Sequence, residues 1–280
     1  MKIIGVTGGK GGTGKSTVST ALAIELAKDA KVLLVDLDVD CPNDHLILNI
    51  SREKIGNVHQ RVPEIDSEKC ISCGKCSEAC VTNALVSLKE RPPIFIPLQC
   101  NGCGACEIVC PVNAISWSNK EIGTIFKGKK LNVDFLSGEL KINEPVSEFV
   151  VDGVKKELEK QKNNYDFVIV DTAAGTHCDV ISALRICDFT FVVTEPTPLG
   201  GHDLKLILGL VEKLGIDSKV ILNRAGEGEE KIILKILEKF NKKISVKIPY
   251  SKEIMRSYAK GEPIVHESIK KIAELVKWNK

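Results

Sequence analysis

The sequence predicts an α/β protein built on a doubly wound, mostly parallel sheet, with a small α+β segment inserted into it. Three observations carry that expectation. Short, continuous apolar runs recur along the chain, as suits parallel strands covered on both faces. Helix-spaced apolar patterns separate the later runs. From about residue 58 to residue 127 this rhythm stops, and two similar cysteine-rich halves take its place.

The first strand is predicted at residues 2–7 (KIIGVT), a β-branched run that breaks into GGKGGTGKST. Residues 16–28 then keep Val18, Ala21, Leu22 and Leu26 at helical spacing. Strand, glycine-rich turn and helix in that order form a phosphate cradle. Gly9, Gly11, Gly12 and Gly14, with Thr13 between them, let backbone N–H groups point at phosphate oxygens. The following helix adds its positive N-terminal end. Lys15 would reach the β- and γ-phosphates, and the Ser16 hydroxyl, followed by Thr17, would complete Mg²⁺ coordination.

Further buried strands are expected at 32–36, 167–171, 189–194, 219–223 and 244–248, with helices at 203–214 and 229–240. The second strand ends in LLVDLDVD, which places Asp36, Asp38 and Asp40 where open α/β sheets bind ligands. FVIVDTAAG repeats that logic, with Asp171 at the strand end and Gly175 free to let a switch respond to a γ-phosphate. Residues 131–145 alternate about Ser137-Gly138 and predict a hairpin returning to the main sheet. The main domain is therefore discontinuous, 1–57 and 128–280, with 58–127 inserted. Because the insert leaves the sheet soon after the three acids, rearrangement there should reach it.

The inserted segment holds Cys70, Cys73, Cys76 and Cys80, then Cys100, Cys103, Cys106 and Cys110, each run spaced C-x2-C-x2-C-x3-C. The two runs are copies at an offset of 30 residues. Soft thiolates at this spacing favour iron–sulfur chemistry over zinc, whose ribbons usually carry paired CxxC units. Cys41 and Cys187 read as small buried hydrophobes, and Cys178 as a packed thiol beside a surface His177.

Charge is nearly balanced, 39 Lys+Arg against 37 Asp+Glu, so nothing asks for nucleic acid or an anionic membrane. Eleven cysteines, eight at metal spacing, point to a reducing cytoplasm rather than to a disulfide scaffold. At the C-terminus Ile269, Ile272, Leu275, Val276 and Trp278 form one apolar stripe beside Lys270, Lys271 and Lys277. A helix docked on the sheet explains that stripe more simply than a membrane anchor.

Lys10, a second lysine inside the loop, makes GKGGTGKST resemble the deviant Walker A ATPases: MinD, the ParA partition proteins, the nitrogenase iron protein and the Mrp-type iron–sulfur carriers. The resemblance covers most of the chain outside the insert. It implies that Lys10 crosses an ATP-dependent sandwich dimer, with itself or a paralogue, to touch the partner's phosphates. It also implies Asp38 near the attacking water, Asp36 or Asp40 near the Mg²⁺ shell, and Asp171 as the Walker B-like acid. Asn223 in VILNRAG would read adenine, and Gly226 stands where a GTPase would need Asp, so ATP is expected.

The insert resembles a two-cluster bacterial ferredoxin, in which the fourth cysteine of each run ligates the other cluster. That implies one [4Fe–4S] cluster on Cys70, Cys73, Cys76 and Cys110 and a second on Cys100, Cys103, Cys106 and Cys80. Val81 departs from the pattern, which has proline there, as at Pro111. Cys178 matches one ligand of the intersubunit cluster of the nitrogenase iron protein, but the second cysteine it would need is missing.

The combined expectation is an ATPase whose nucleotide-driven dimer switch is coupled to electron transfer through two clusters to an unidentified redox partner. Cluster assembly and delivery to an apo-protein is the alternative, ahead of a MinD-like spatial regulator with structural clusters. Eight cysteines from one chain make closed, durable sites, which favours electron transfer over release.

Overall fold

The computed structural model describes residues 1–277. β1 (Lys2–Thr7) runs through the glycine-rich loop into α1 (Lys15–Leu26), then β2 (Val32–Leu37) and the short α2 (Asp44–Ile47). β3 (Arg52–Ile65) leads away to α3 (Lys75–Glu78), β4 (Leu85–Leu88), β5 (Arg91–Phe95) and α4 (Ala105–Ile108), and β6 (Ile115–Lys130) returns beside β3. There follow β7 (Val133–Leu140), α5 (Glu148–Gln161), β8 (Phe167–Thr172), α6 (Cys178–Leu184) and β9 (Phe189–Thr194). α7 (Pro198–Lys213), β10 (Asp217–Ala225), α8 (Glu230–Lys239), β11 (Ile244–Pro249), α9 (Lys252–Lys260) and α10 (Glu267–Lys277) complete the described chain.

Nine strands form one sheet in the order β11-β10-β9-β1-β8-β2-β7-β6-β3. From β11 to β7 all pairings are parallel, and only β6 and β3 join antiparallel. β1 lies between β8 and β9, so the chain winds both ways from the strand that feeds the glycine-rich loop. That reversal opens a crevice beyond the carboxyl ends of the strands, where ligands of such sheets sit.

One face of the sheet is covered by α1 and α10, whose Val18, Leu22, Leu26, Ile269, Ile272 and Val276 are buried with Ile4, Leu34 and Ile169. The C-terminal apolar stripe is thus spent on the core, and Trp278 lies outside the described residues. On the other face α5 buries Val150, Val151, Val154 and Leu158 against Leu33, Val35 and Val168. Among the described residues no helix is long and apolar enough to cross a membrane.

The hairpin expected at Ser137-Gly138 is not there. β7 runs straight through both residues, parallel to β2, and the turn comes earlier, at Leu131 with φ 52°. The small residues serve packing instead. A Cβ on Gly138 would stand 2.8 Å from methyls of Val150 and Val154 and 2.9 Å from one of Val39.

β3 and β6 form a long ribbon, rooted by Val58, Ile122 and Ile125 in the core under α5 and reaching to the pair Ile65↔Ile115 at its tip. The expected boundaries at 58 and 127 fall inside these paired strands. The cysteine runs hang from the tip with the separate hairpin β4–β5. Their backbones repeat at the 30-residue offset. Gly74 and Gly104 precede α3 and α4 with φ 78° and 86°. Asn83 and Asn113 follow with φ 55° and 50°.

Candidate functional site: a nucleotide pocket and two cysteine cavities

The glycine-rich loop holds a shape that only its sequence permits. Gly14, the N-cap of α1, has φ 95°, and a Cβ there would lie 2.2 Å from Nδ2 of Asn223. That amide donates to the Thr13 carbonyl at 2.8 Å, so Asn223 braces the loop as well as lining the pocket. Lys15 is buried and its Nζ donates to the Lys10 carbonyl at 3.2 Å. On the far side the Gly175 N–H donates to the Gly8 carbonyl at 3.2 Å, tying the segment after β8 to the loop.

Lys10 points back within its own chain. Its Nζ pairs with Oε1 of Glu195 at 3.0 Å, while Oε2 of Glu195 takes Arg224 at 2.9 Å. Nothing in the sequence pattern marked Glu195, which is buried at the end of β9.

Asp36 and Asp171 are buried side by side in register at the ends of β2 and β8. The third member of their group is Asp44, at the start of α2. One carboxylate oxygen from each lies within 4.8 Å of the others. Asp36 accepts from the N–H groups of Asp38, Asn43 and Asp44 at 3.0, 3.0 and 3.2 Å. No hydrogen-bond partner reaches either carboxylate oxygen of Asp44 or Asp171. Burial pushes Asp171 up to about 7, against the opposing pull of Ser16 and Lys15, and burial with mutual repulsion raises Asp36 and Asp44 strongly. Orphaned buried oxygens of this kind fit a hard divalent cation. Asp40, expected as an alternative to Asp36, is exposed and outside the group. Asp44 follows Pro-Asn at a helix start, where an acid usually signals only a cap, so the sequence hid it.

Beside the acids opens a cavity of about 400 Å³, lined by Gly12, Lys15, Asp38, Asn223, Arg224 and Tyr250 among others. Its size suits a nucleotide. Asp38 is half-buried there; burial raises its pKa, and Lys15 opposes the rise. The phosphate end is polar, and Ile254, Met255 and Tyr258 of α9 give the other end apolar and aromatic walls.

The eight cysteines enclose two further small cavities. Cys70, Cys73, Cys76 and Cys110 line one, and Cys80, Cys100, Cys103 and Cys106 the other. Each cavity thus takes three thiols from one run and the fourth from the other. The crossing thiols are held alike, with Ala84 N–H on Sγ of Cys80 and Ala114 N–H on Sγ of Cys110, both at 3.2 Å. All eight are free thiols, and burial pushes Cys106 up to about 11. Two sets of four thiols lining small cavities fit a soft metal centre, which deprotonates its ligands.

Cys187 is buried as expected, its Sγ donating to the Ala183 carbonyl. Cys41 and Cys178 were expected to pack inside, but both are exposed, Cys41 in the loop after β2 and Cys178 at the first residue of α6.

Similarity to known proteins agrees with this architecture. The chain is 37% identical to the uncharacterized protein MJ0579 of Methanocaldococcus jannaschii over 99% of its own length and 98% of the relative's. It is 30% identical to MJ0578 of the same organism, over 98% and 96% of the two chains. Among solved structures, the septum site-determining protein MinD of Pyrococcus horikoshii, complexed with Mg-ADP, superposes with a TM-score of 0.62 at 22% identity, covering 98% of this chain and 95% of that one. The model of the CobQ/CobB/MinD/ParA nucleotide binding domain matches residues 4–264. The chain belongs to that family, CbiA.

Proposed function

We propose that this protein binds and hydrolyses ATP with Mg²⁺ and couples the nucleotide state of a sandwich dimer to electron transfer through two [4Fe–4S] clusters held by the segment 58–127. The observation that carries the reading is the crossed lining of the two cysteine cavities, three thiols from one run and one from the other in each case. Zinc sites have no need of that exchange, whereas two-cluster ferredoxins use it.

On the nucleotide side, the loop N–H groups from Gly9 to Gly14, Lys15 and the start of α1 would bind the phosphates, with Thr17 below them. Ser16, Asp36, Asp44 and Asp171 would hold Mg²⁺, which supplies charge neutralisation on the β- and γ-phosphate oxygens. Asp38, half-buried in the pocket wall, would orient the attacking water. Gly175, bonded to Gly8, would carry loss of the γ-phosphate into the segment after β8. Asn223 and Tyr250, which line the pocket, would meet the base. Lys10, once released from Glu195, would reach a second copy.

On the metal side the clusters would accept and pass single electrons, and the chain's part is to hold them and shield them. Cys100 and Cys106 are buried, whereas Cys73 and Cys103 are exposed, so each cavity has one thiol toward solvent and a partner.

Anaerobic purification with iron and sulfide counts tests the reading. About eight of each per chain, retained through ATP turnover, is expected. Zinc in place of iron would end it, and transfer of a cluster to an apo-acceptor on ATP addition would replace electron transfer by cluster delivery. Sedimentation with and without a non-hydrolysable ATP analogue tests the dimer; an identical mass in both would remove the sandwich.

A further inference from the structure

We propose that residues 140–147 tie the nucleotide acids to one cysteine cavity only, that of Cys80, Cys100, Cys103 and Cys106, with Lys120, beside Gln60 on the ribbon, as the positioning residue. The proposal rests on the cluster reading above and adds a route and an asymmetry to it.

The two cavities stand at different heights on the ribbon. Ile65 and Ile115, the pair at the tip, line the cavity of Cys70. Pro63 and Trp117, the pair two residues nearer the sheet, line that of Cys100. Nearer still, the buried Gln60 amide donates to the Cys100 carbonyl at 2.6 Å. The Cys100 cavity is therefore proximal to the nucleotide site and the Cys70 cavity distal.

Lys120 pairs in register with Gln60. Its Nζ pairs with Glu144 at 2.8 Å, and the neighbouring Gln60 carries the contact on to the Cys100 carbonyl. Glu144 is only 10% exposed, so this contact is more than a solvated surface pair. The segment that carries Glu144 begins with two consecutive backbone bonds aimed in opposite directions. Leu140 N–H donates to the Val39 carbonyl, and Lys141 N–H donates to the Ile122 carbonyl, both at 2.8 Å. Val39 lies between Asp38 and Asp40, and Ile122 is two residues beyond Lys120 on the ribbon. Lys141 adds an ion pair to Glu121 at 2.9 Å. At the far end of the segment the Ser147 hydroxyl donates to Asp179 at 3.5 Å, and Asp179 faces Asp38 and Asp40 electrostatically.

A shift of the Asp38–Asp40 turn on nucleotide binding must therefore displace Leu140 and Lys141, and with them Glu144 and the ammonium of Lys120. Moving a cation beside Gln60, which holds the Cys100 carbonyl, would change how well a cluster in that cavity tolerates one added electron. The ribbon pair that lines the distal cavity, Ile65 and Ile115, stands five positions along each strand from Gln60 and Lys120. By linkage the effect is reciprocal: the electron alters nucleotide affinity by the factor by which nucleotide alters the electron's.

The test uses the intact, anaerobically purified protein, titrated with dithionite and followed by low-temperature spin resonance, without nucleotide and with a non-hydrolysable ATP analogue. A full iron and sulfide count establishes the cluster reading first, so its failure is separate from failure here. The expected result is a shift in one signal only, the one perturbed by Cys103→Ser and not by Cys73→Ser. A tenfold change in analogue affinity on reduction would correspond to about 59 mV. Lys120→Met should abolish the shift while both signals remain, Lys120→Arg should restore it, and Glu144→Gln should reduce it. Equal shifts in both signals, a shift confined to the other signal, no shift, or full retention in Lys120→Met would each overturn the proposal.

Discussion

Beneath the main sheet, α1, α5 and α10 bury long apolar rows, and the central strands β2 and β9 are buried along their whole length. In the cysteine segment the buried apolar residues are Ala84, Leu85, Cys100, Cys106, Ala114 and Ile115, with partial help from Ile65, Phe95 and Trp117. The segment leaves Val81 and Ile108 more than four-fifths exposed. One region is held by apolar area, which the chain carries wherever it goes. The other surrounds two thiol-lined cavities with a small apolar core, and on the proposed reading it would owe its order to metal, as small metal-dependent folds do. The difference teaches where stability resides, and it makes the two regions separable by experiment.

The largest expected effect is withdrawal of iron. Chelation should collapse amide-exchange protection across residues 66–114 to that of an unfolded chain while β1, β2 and β8 keep theirs. Undiminished protection in an iron-free protein would mean that the segment folds on its own contacts, and the contrast would fail.

Next comes Lys15→Ala. Removing the buried cation of the phosphate loop should weaken ATP binding by about 3–5 kcal/mol, the usual loss when one partner of a buried charge pair is deleted. Visible iron–sulfur absorption should be unchanged in the same variant. Loss of both together in a calorimetric and optical comparison would show that the two regions are not independent.

Gly138→Ala probes the sheet alone. Its new Cβ meets Val39, Val150 and Val154 in a packed layer, so thermal unfolding should show about 1–3 kcal/mol of destabilisation. Cluster content should not change.

The smallest expected effect is a pH slope. Asp171 moves from an ordinary value of 3.8 to about 7 in the folded, metal-free chain, and Asp36 and Asp44 are raised with it. The folded state then binds more protons than the unfolded state between those limits, so stability falls as pH rises through that window. Melting temperature without Mg²⁺ should decline from pH 5 to pH 8, and Mg²⁺ should flatten the decline. A flat profile without the metal would mean that the three carboxylates are not a shared buried group.

Most of the sheet was legible because its central strands are buried on both faces, so 32–36 and 189–194 stand out as near-continuous apolar runs. The cysteine spacing was legible because ligands recur at fixed intervals whatever surrounds them. The ribbon was not. β3 and β6 are wet over most of their length, and register shifts after Lys54 and Val58 break the two-residue period that would have betrayed them. Ser137-Gly138 misled because small residues mark turns and tight packing alike, and only the position of Val150 and Val154 separates the two. Asp44 and Glu195 were hidden for another reason: each acts through residues far away in sequence, Asp171 and Lys10.

The strand order also fixes a sequence of events during synthesis. Both cysteine cavities are built from residues 63–117, all of which precede β8. The nucleotide pocket waits for Asp171 and Asn223, and β1 and β2 cannot be joined until β8 arrives between them. A chain still on the ribosome can therefore present all eight thiols to whatever supplies iron and sulfide before it can hold a nucleotide. Domains tend to fold as units in the order they emerge. If the cavities hold clusters as proposed, they can be loaded on the nascent chain, before the nucleotide pocket is complete.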